Sequence, residues 1–183
     1  MILPWRKISS RSLGEFRIFK LRADLKESPR TGGQHEFMVM DTANWVNVVA
    51  ITPDQHMVMV EQYRHGSDTV ELEIPGGIMD AGDASPEAAG CRELREETGY
   101  EGERARVIGR VFSNPAIMSN SCFTVLAENC RLAGPVQFDS SEDLNTRLVP
   151  VAEVADLVTS GKIRHSLVVA ALCYYELLRR KGT

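Results

Sequence analysis

The run Arg92-Glu93-Leu94-Arg95-Glu96-Glu97 concentrates three carboxylates and two guanidinium groups in one short stretch of chain. Ser85-Pro86-Glu87 before it predicts a helix start: Ser is a good N-cap, Pro suits the first helical position, and an acid there suits the dipole. Thr98-Gly99 predicts its end, because Gly adopts the left-handed cap conformation. With Glu93 set at the origin of the helical wheel, Glu97 falls at about 40° and Glu96 at about 300°. Three carboxylates then share one arc of about 100°. Leu94, Cys91, Ala88 and Thr98 fall on the other side, which predicts a core-facing stripe there. Like charges at this spacing repel by roughly a few tenths of a kcal/mol per pair. A hard divalent cation reverses that sign, since magnesium and calcium prefer carboxylate oxygens. The competing reading is a solvated charged face with Arg92 and Arg95 pairing locally. The surroundings bear on the choice: the run follows Gly76-Gly77, itself preceded by a strand-like segment with Glu71 and Glu73. A glycine pair lets backbone approach a ligand closely.

The elements that must position this helix are also legible. Trp45–Thr52 (WVNVVAIT) and His56–Tyr63 (HMVMVEQY) are strand candidates joined by Thr52-Pro53-Asp54-Gln55, and Val70–Ile74 predicts a short strand running into Pro75-Gly76-Gly77. Further strands are predicted at 105–112, 122–128 and 146–151, and helices at 151–160 and 166–180. Near the start, Glu15–Asp24 and His35–Asp41 flank the turn-forming ESPRTGGQ and predict a small β-hairpin lobe. Strands interleaved with three helices indicate a mixed α/β (α+β) fold.

Composition narrows the function classes. The 183 residues are 43% hydrophobic and 25% charged, which suits one globular domain or one domain with a small extra lobe. The net charge of -4 argues against a dedicated nucleic-acid binder. The longest apolar run, Leu167–Tyr175, is about half of the ~20 residues needed to cross a bilayer, and no signal peptide is expected. Cys91, Cys122, Cys130 and Cys173 form no zinc-like pattern. They are read as small buried hydrophobes, with a reducing, cytoplasmic compartment as the default.

The segment from Gly77 to Tyr100 resembles the Nudix hydrolase box. The box runs from a glycine through a loop acid to Arg-Glu, an aliphatic residue, any residue, Glu-Glu, any residue, Gly and an aliphatic residue. Gly77, Arg92-Glu93-Leu94-Arg95-Glu96-Glu97 and Gly99 match. Asp83 stands where the family has Glu, Ala84–Cys91 is one residue longer than the family spacing, and Tyr100 replaces the last aliphatic residue. EQYRHG before the box, EIPGG leading into it and Pro115 after it are similar to the branch acting on ADP-ribose and other nucleoside diphosphate sugars.

The resemblance implies a Nudix-type α/β/α sandwich with a mixed sheet over 44–183. It also implies an N-terminal β lobe over 1–43 that helps build a homodimer. The implied activity is Mg²⁺-dependent hydrolysis, with Mn²⁺ a substitute, of a nucleoside diphosphate sugar to nucleoside monophosphate and sugar phosphate, without nucleic-acid or membrane partners. Metal ligands implied are Glu93, Glu97 and Glu96, with the Gly77 carbonyl a further donor; Asp83 is not among them. Glu142, in the acidic loop Phe138–Asp143, is the choice for general base. Arg64 is read either as a phosphate or ribose contact or as one half of a strand-end salt bridge. Glu73 is read as an aid to metal or substrate at the loop mouth, or as a solvated strand residue. Trp45 either stacks on a base or belongs to the core. His65 and His165, with no partner at metal-ligand spacing, are read as ordinary. Alternative functions are a housecleaning hydrolase of modified nucleoside triphosphates or dinucleotides, and a non-catalytic nucleotide-sugar sensor.

Overall fold

The computed structural model describes residues 1–138 and 143–182. Its chain divides into two units, Met1–Asn44 with Phe112–Ser121, and Trp45–Val111 with Cys122–Thr183.

The first unit holds β1 (Arg6–Glu15), β2 (Lys20–Glu27) and β3 (Gln34–Asp41) as an antiparallel meander in the order β1-β2-β3. The expected hairpin is present as β2 and β3, closed by a turn in which Gly32 takes φ 69°. Two corrections apply. Strand β1 was not foreseen, and Phe16–Phe19, read as the start of a strand, is a turn in which the Phe16 N–H donates to the Phe19 carbonyl at 2.9 Å. The reason is that RKISSRSLGE is polar and almost wholly exposed, so no apolar alternation marks it. The ladder and cross-strand pairs hold it instead: Arg6 with Glu27 at 2.8 Å, Arg11 with Glu36 at 2.9 Å, and Ser10 Oγ donating to the buried Asp24 at 2.6 Å.

The second unit is built on a seven-stranded mixed sheet. Its elements are β4 (Trp45–Ile51), β5 (His56–Arg64), β6 (Thr69–Glu73), β7 (Gly76–Ile78), α1 (Pro86–Thr98), β8 (Tyr100–Glu101), β9 (Arg104–Phe112), β10 (Ser121–Glu128), β11 (Arg131–Leu132), β12 (Leu144–Pro150), a 3-10 turn (Val151–Glu153), α2 (Val154–Thr159) and α3 (Ser166–Arg180). The strand order is β12-β5-β4-β10-β9, with β6 paired to β5 and β7 to β4. Strand β4 is parallel to β10 and antiparallel to β5 and β7. Side chains alternate across a strand. Val46, Val48 and Ala50 of β4 therefore pack with Ala89 and Leu94 of α1, whereas Val49 and Ile51 pack with Val168, Ala171 and Leu172 of α3. Helices on both faces of one mixed sheet give the expected α/β/α layering.

The structure alters several local expectations. The helix predicted at 151–160 is a 3-10 turn followed by the short α2. Strands β7, β8 and β11 were missed because two or three paired residues carry no readable period. Cys91 and Cys173 are exposed; only Cys122 and Cys130 are buried. On α1 the buried residues are Ala89, Gly90, Glu93, Leu94, Glu97 and Thr98, so Ala88 and Cys91 do not face the core and two carboxylates do.

Helix α1 begins and ends where its caps predict. Ser85 Oγ accepts from the Ala88 N–H at 3.2 Å, and Gly99, at φ 74°, donates its N–H to the Arg95 carbonyl at 2.9 Å. A Cβ on Gly99 would lie 2.2 Å from the Gly134 carbonyl oxygen. Gly99→Ala is therefore expected to destabilise the chain by about 1–3 kcal/mol, read as a lower urea midpoint at unchanged slope.

Candidate active site

The carboxylate end of α1 lies against the glycine pair of β7. Glu97 Oε2 accepts from the Gly76 N–H at 3.1 Å. The Glu93 carboxylate sits so close to Gly77 that a Cβ there would meet its oxygens at 2.6 and 2.8 Å. Only glycine leaves this space. Strand β7 is fixed in turn by its ladder to β4, with Gly77 opposite Val46 and Gly76 opposite Asn47. Glu93 and Glu97 are thus buried inside the fold, not on the solvent side of the helix as the wheel suggested. The apolar half of α1 meets the sheet, and the buried arc continues onto the acids where the sheet gives way to the glycine segment.

Arg92 organises the cluster. Its Nη1 donates to Glu93 Oε1 at 2.9 Å and to Glu96 Oε2 at 3.0 Å. Its Nη2 donates to the Ile78 carbonyl at 3.1 Å and to Asp83 Oδ2 at 3.0 Å, and Nε donates to Asp83 Oδ1 at 3.2 Å. The guanidinium therefore ties the helix to the loop before it while spanning three carboxylates. Its own pKa is raised, chiefly through Asp83, and Asp83 is held below the usual carboxylate range chiefly by Arg92. Both Asp83 oxygens accept from Arg92.

Beside this cluster a cleft of 280 Å³ is lined by Trp45, Asn47, Arg64, Gly76, Gly77 and His165, among others. Arg64 on β5 donates Nε and Nη2 to Glu73 Oε1 and Oε2 at 2.8 and 2.9 Å. Glu73, at the end of β6, is only 2% exposed. Neither earlier reading of Glu73 holds: it is neither solvated nor open at the loop mouth, because both oxygens receive the guanidinium. Arg64 forms the salt bridge of one reading and is also part of the cleft wall. A second cavity of 620 Å³ shares Arg64 and His165 with the first and contains Glu71, which accepts from Arg164 at 2.8 and 3.1 Å. That contact, with a hydrogen bond from Thr69, lowers the Glu71 pKa.

Of the residues singled out in the sequence, Trp45, Arg64 and Gly77 share the cleft, and Glu93, Glu97 and, through Arg92, Glu96 gather behind its glycine wall. Glu142 lies outside the described residues. Of the polar cleft residues, Asn47 was not singled out and His165 was read as ordinary. Asn47 had a signal, being the one polar side chain inside WVNVVAI. His165 had none, because the groups near it are remote in sequence.

The donor set suits a hard cation: three carboxylates, one pressed against a space that a Cβ would fill, beside a backbone carbonyl. Among the described residues no three acidic, His or Cys side chains converge into a finished cage. The Arg92 guanidinium stands between Glu93 and Glu96 and supplies the positive charge there.

Residues 42–172 match the NUDIX domain. The chain is 31% identical to an ADP-ribose pyrophosphatase of Mycobacterium tuberculosis, over 90% of this chain and 80% of that protein. It is 27% identical to a methanol dehydrogenase activator of Bacillus methanolicus, over 94% of this chain and 92% of that protein. A crystal structure of an ADP compounds hydrolase superposes with a TM-score of 0.86, covering 100% of this chain and 98% of that one at 23% identity, a likeness of fold.

Two outcomes test this geometry. Gly77→Ala is expected to push the Glu93 carboxylate aside and weaken binding of a divalent cation by at least about tenfold in calorimetry, with little change in melting temperature. The lowered pKa of Asp83 means that its stabilising contribution is present above its unfolded value, ordinarily 3.8, and is lost as pH falls through the folded value. Asp83→Asn should therefore show a smaller drop in thermal stability between neutral pH and about pH 3 than the unmodified chain.

Proposed function

The chain belongs to the NUDIX family, and on that premise we propose that it is a pyrophosphohydrolase of nucleoside diphosphate sugars, with ADP-ribose the first substrate to test. The observation that carries the reading is the burial of the Glu93 and Glu97 carboxylates directly behind the Gly76–Gly77 wall of a cleft whose other sides include Trp45 and Arg64. The mycobacterial relative named ADP-ribose pyrophosphatase supports the substrate class.

In this reading Glu93, Glu97 and Glu96 hold divalent cations, Mg²⁺ by preference with Mn²⁺ as substitute, and the Gly77 carbonyl adds a donor. Such cations offset diphosphate charge, polarise a phosphoryl oxygen and lower the pKa of bound water. Arg92 keeps Glu93 and Glu96 oriented, and through Asp83 and Ile78 it keeps α1 in register with the loop. Arg64, its plane fixed by Glu73, presents a guanidinium edge to a phosphate. Trp45 offers an indole face for the base. Glu142 takes the proton of the attacking water; the new P–O bond forms as the bridging P–O bond breaks, leaving nucleoside monophosphate and sugar phosphate.

Residues 1–43 serve in this reading as a dimer-forming lobe attached to a catalytic domain at 44–183. Support comes from the apolar side chains Trp5, Ile8, Leu13, Phe37 and Met38, which are 37–50% exposed in the single chain on or beside the three-stranded sheet. Exposed apolar side chains on so small a unit are consistent with association. A cytoplasmic location fits the four free cysteines. Among the described residues no helix is long and apolar enough to cross a membrane.

Chromatography of ADP-ribose incubations is expected to give AMP and ribose 5-phosphate in equal amounts with Mg²⁺ and neither with EDTA. Glu97→Gln should lower that turnover about a hundredfold or more, since changes even to groups that merely support metal ligands cost 10–100-fold, while the thermal melt stays in place. A near-normal rate for Glu97→Gln removes it from the metal set.

A further inference from the structure

His165 immediately precedes α3 and takes an extended conformation, φ -63° and ψ 118°, without capping the helix through its side chain. It forms part of the wall of the 280 Å³ cleft together with Trp45, Arg64 and Gly77. The ring is held with Nδ1 inward: that atom is buried and has no hydrogen-bond partner. Glu73 Oε2, which accepts from Arg64 Nη2, lies 3.9 Å away from it. That separation is too long for a hydrogen bond. It is short enough to decide which nitrogen of a neutral imidazole carries the proton. A lone pair on a desolvated Nδ1 would face a carboxylate oxygen, negative density against negative density. An N–H at the same place faces it favourably, and burial excludes the water that would otherwise screen the difference.

With the proton on Nδ1, the other nitrogen, Nε2, carries the lone pair. The side chain is 35% exposed while Nδ1 is covered, so the open edge of the ring is the Nε2 edge. We infer that His165 is a specificity-determining residue whose Nε2 accepts a hydrogen bond from a sugar hydroxyl of the substrate, with Glu73 the positioning residue that fixes its tautomer. In that neutral tautomer the ring does not suit the alternative contact, a phosphate. Phosphate oxygens only accept, and an accepting Nε2 repels them. Arg64, which only donates, suits the phosphate; His165 suits the hydroxyl. One buried carboxylate thus aligns a donor for the anionic part of the ligand and an acceptor for its hydroxylated part.

The inference rests on the nucleoside diphosphate sugar reading for its ligand, but its first test does not. Long-range ¹H–¹⁵N spectra of histidine-labelled protein, above the pH at which the ring is protonated, are expected to show His165 as the Nδ1–H tautomer. Its signal is assigned by its loss in His165→Gln. Glu73→Gln, whose amide oxygen or nitrogen can face the ring, should relax that preference. An Nε2–H tautomer in the unmodified protein overturns the inference whatever the enzyme hydrolyses. The second test compares kcat/KM for ADP-ribose with that for analogues lacking one ribose hydroxyl each. One analogue should be disfavoured by about tenfold, the scale of one hydrogen bond, and His165→Leu should lower kcat/KM for ADP-ribose by a similar factor and abolish that discrimination. Discrimination identical in the two proteins overturns the assignment, whereas absence of ADP-ribose hydrolysis in the unmodified enzyme, with the Nδ1–H tautomer present, overturns the substrate reading alone.

Discussion

The arrangement depends on an electrostatic imbalance held in a confined place. Arg92 bridges Asp83, Glu93 and Glu96, and Glu97 on the same helix accepts from the Gly76 N–H. Two of these carboxylates, Glu93 and Glu97, are nearly inaccessible to water. Burying a charge costs several kcal/mol unless it is paired and hydrogen-bonded. The protein partly meets that cost with Arg92 and with the Gly76 N–H. One guanidinium spread over three carboxylates keeps the cluster acidic, and in the proposed reading that acidity is what a divalent cation would offset.

The fold makes this possible by letting two surfaces of one helix perform different tasks. The Leu94 side of α1 closes the core over Val48, Ala50 and Ala127. The Glu93 carboxylate lies against Gly77, which leaves no Cβ in its way, and Glu97 accepts from the Gly76 N–H. The helix cannot rotate to relieve the acids without pulling Leu94 out of the sheet, and burial of such a side chain is worth about 1.5–3 kcal/mol. It cannot slide either, since Arg92 is bonded to both the Ile78 carbonyl and Asp83. Apolar packing thus holds the carboxylates at a position that their own repulsion disfavours.

How legible all this was depends on whether the interaction is local. The limits of α1 follow from Ser85, Pro86 and Gly99, residues that act on neighbours within one turn, and the structure places its caps there. The strands β4 and β5 announce themselves because both their faces are buried, which leaves a continuous apolar run. Strand β1 did not, because its pairing is carried by backbone and ion pairs spread over a polar segment. The helical wheel gave the angular relation of Glu93, Glu96 and Glu97 but not the direction of the core. That direction is set by the β4–β7 ladder, which no periodicity in α1 can encode. The general base expected at Glu142 falls outside the described residues and gains nothing from the structure.

Glu73 shows the same limit from the opposite side. Read alone in VELEI, it is one of two acids in a short strand and invites a ligand role. In the fold its two oxygens are taken by Arg64, and the ring of His165 is turned toward it from the segment before α3. A carboxylate this buried would be costly if either of its oxygens lacked a donor. The pairing with Arg64 is therefore a condition of folding before it is a feature of the site. Once that condition is met, the guanidinium plane has little freedom, and the cleft acquires a rigid donor with no further ordering required on binding. The cost of burying Glu73 and the preorganisation of Arg64 are two consequences of one contact. In the proposed function Glu73 would act on the ligand only through Arg64.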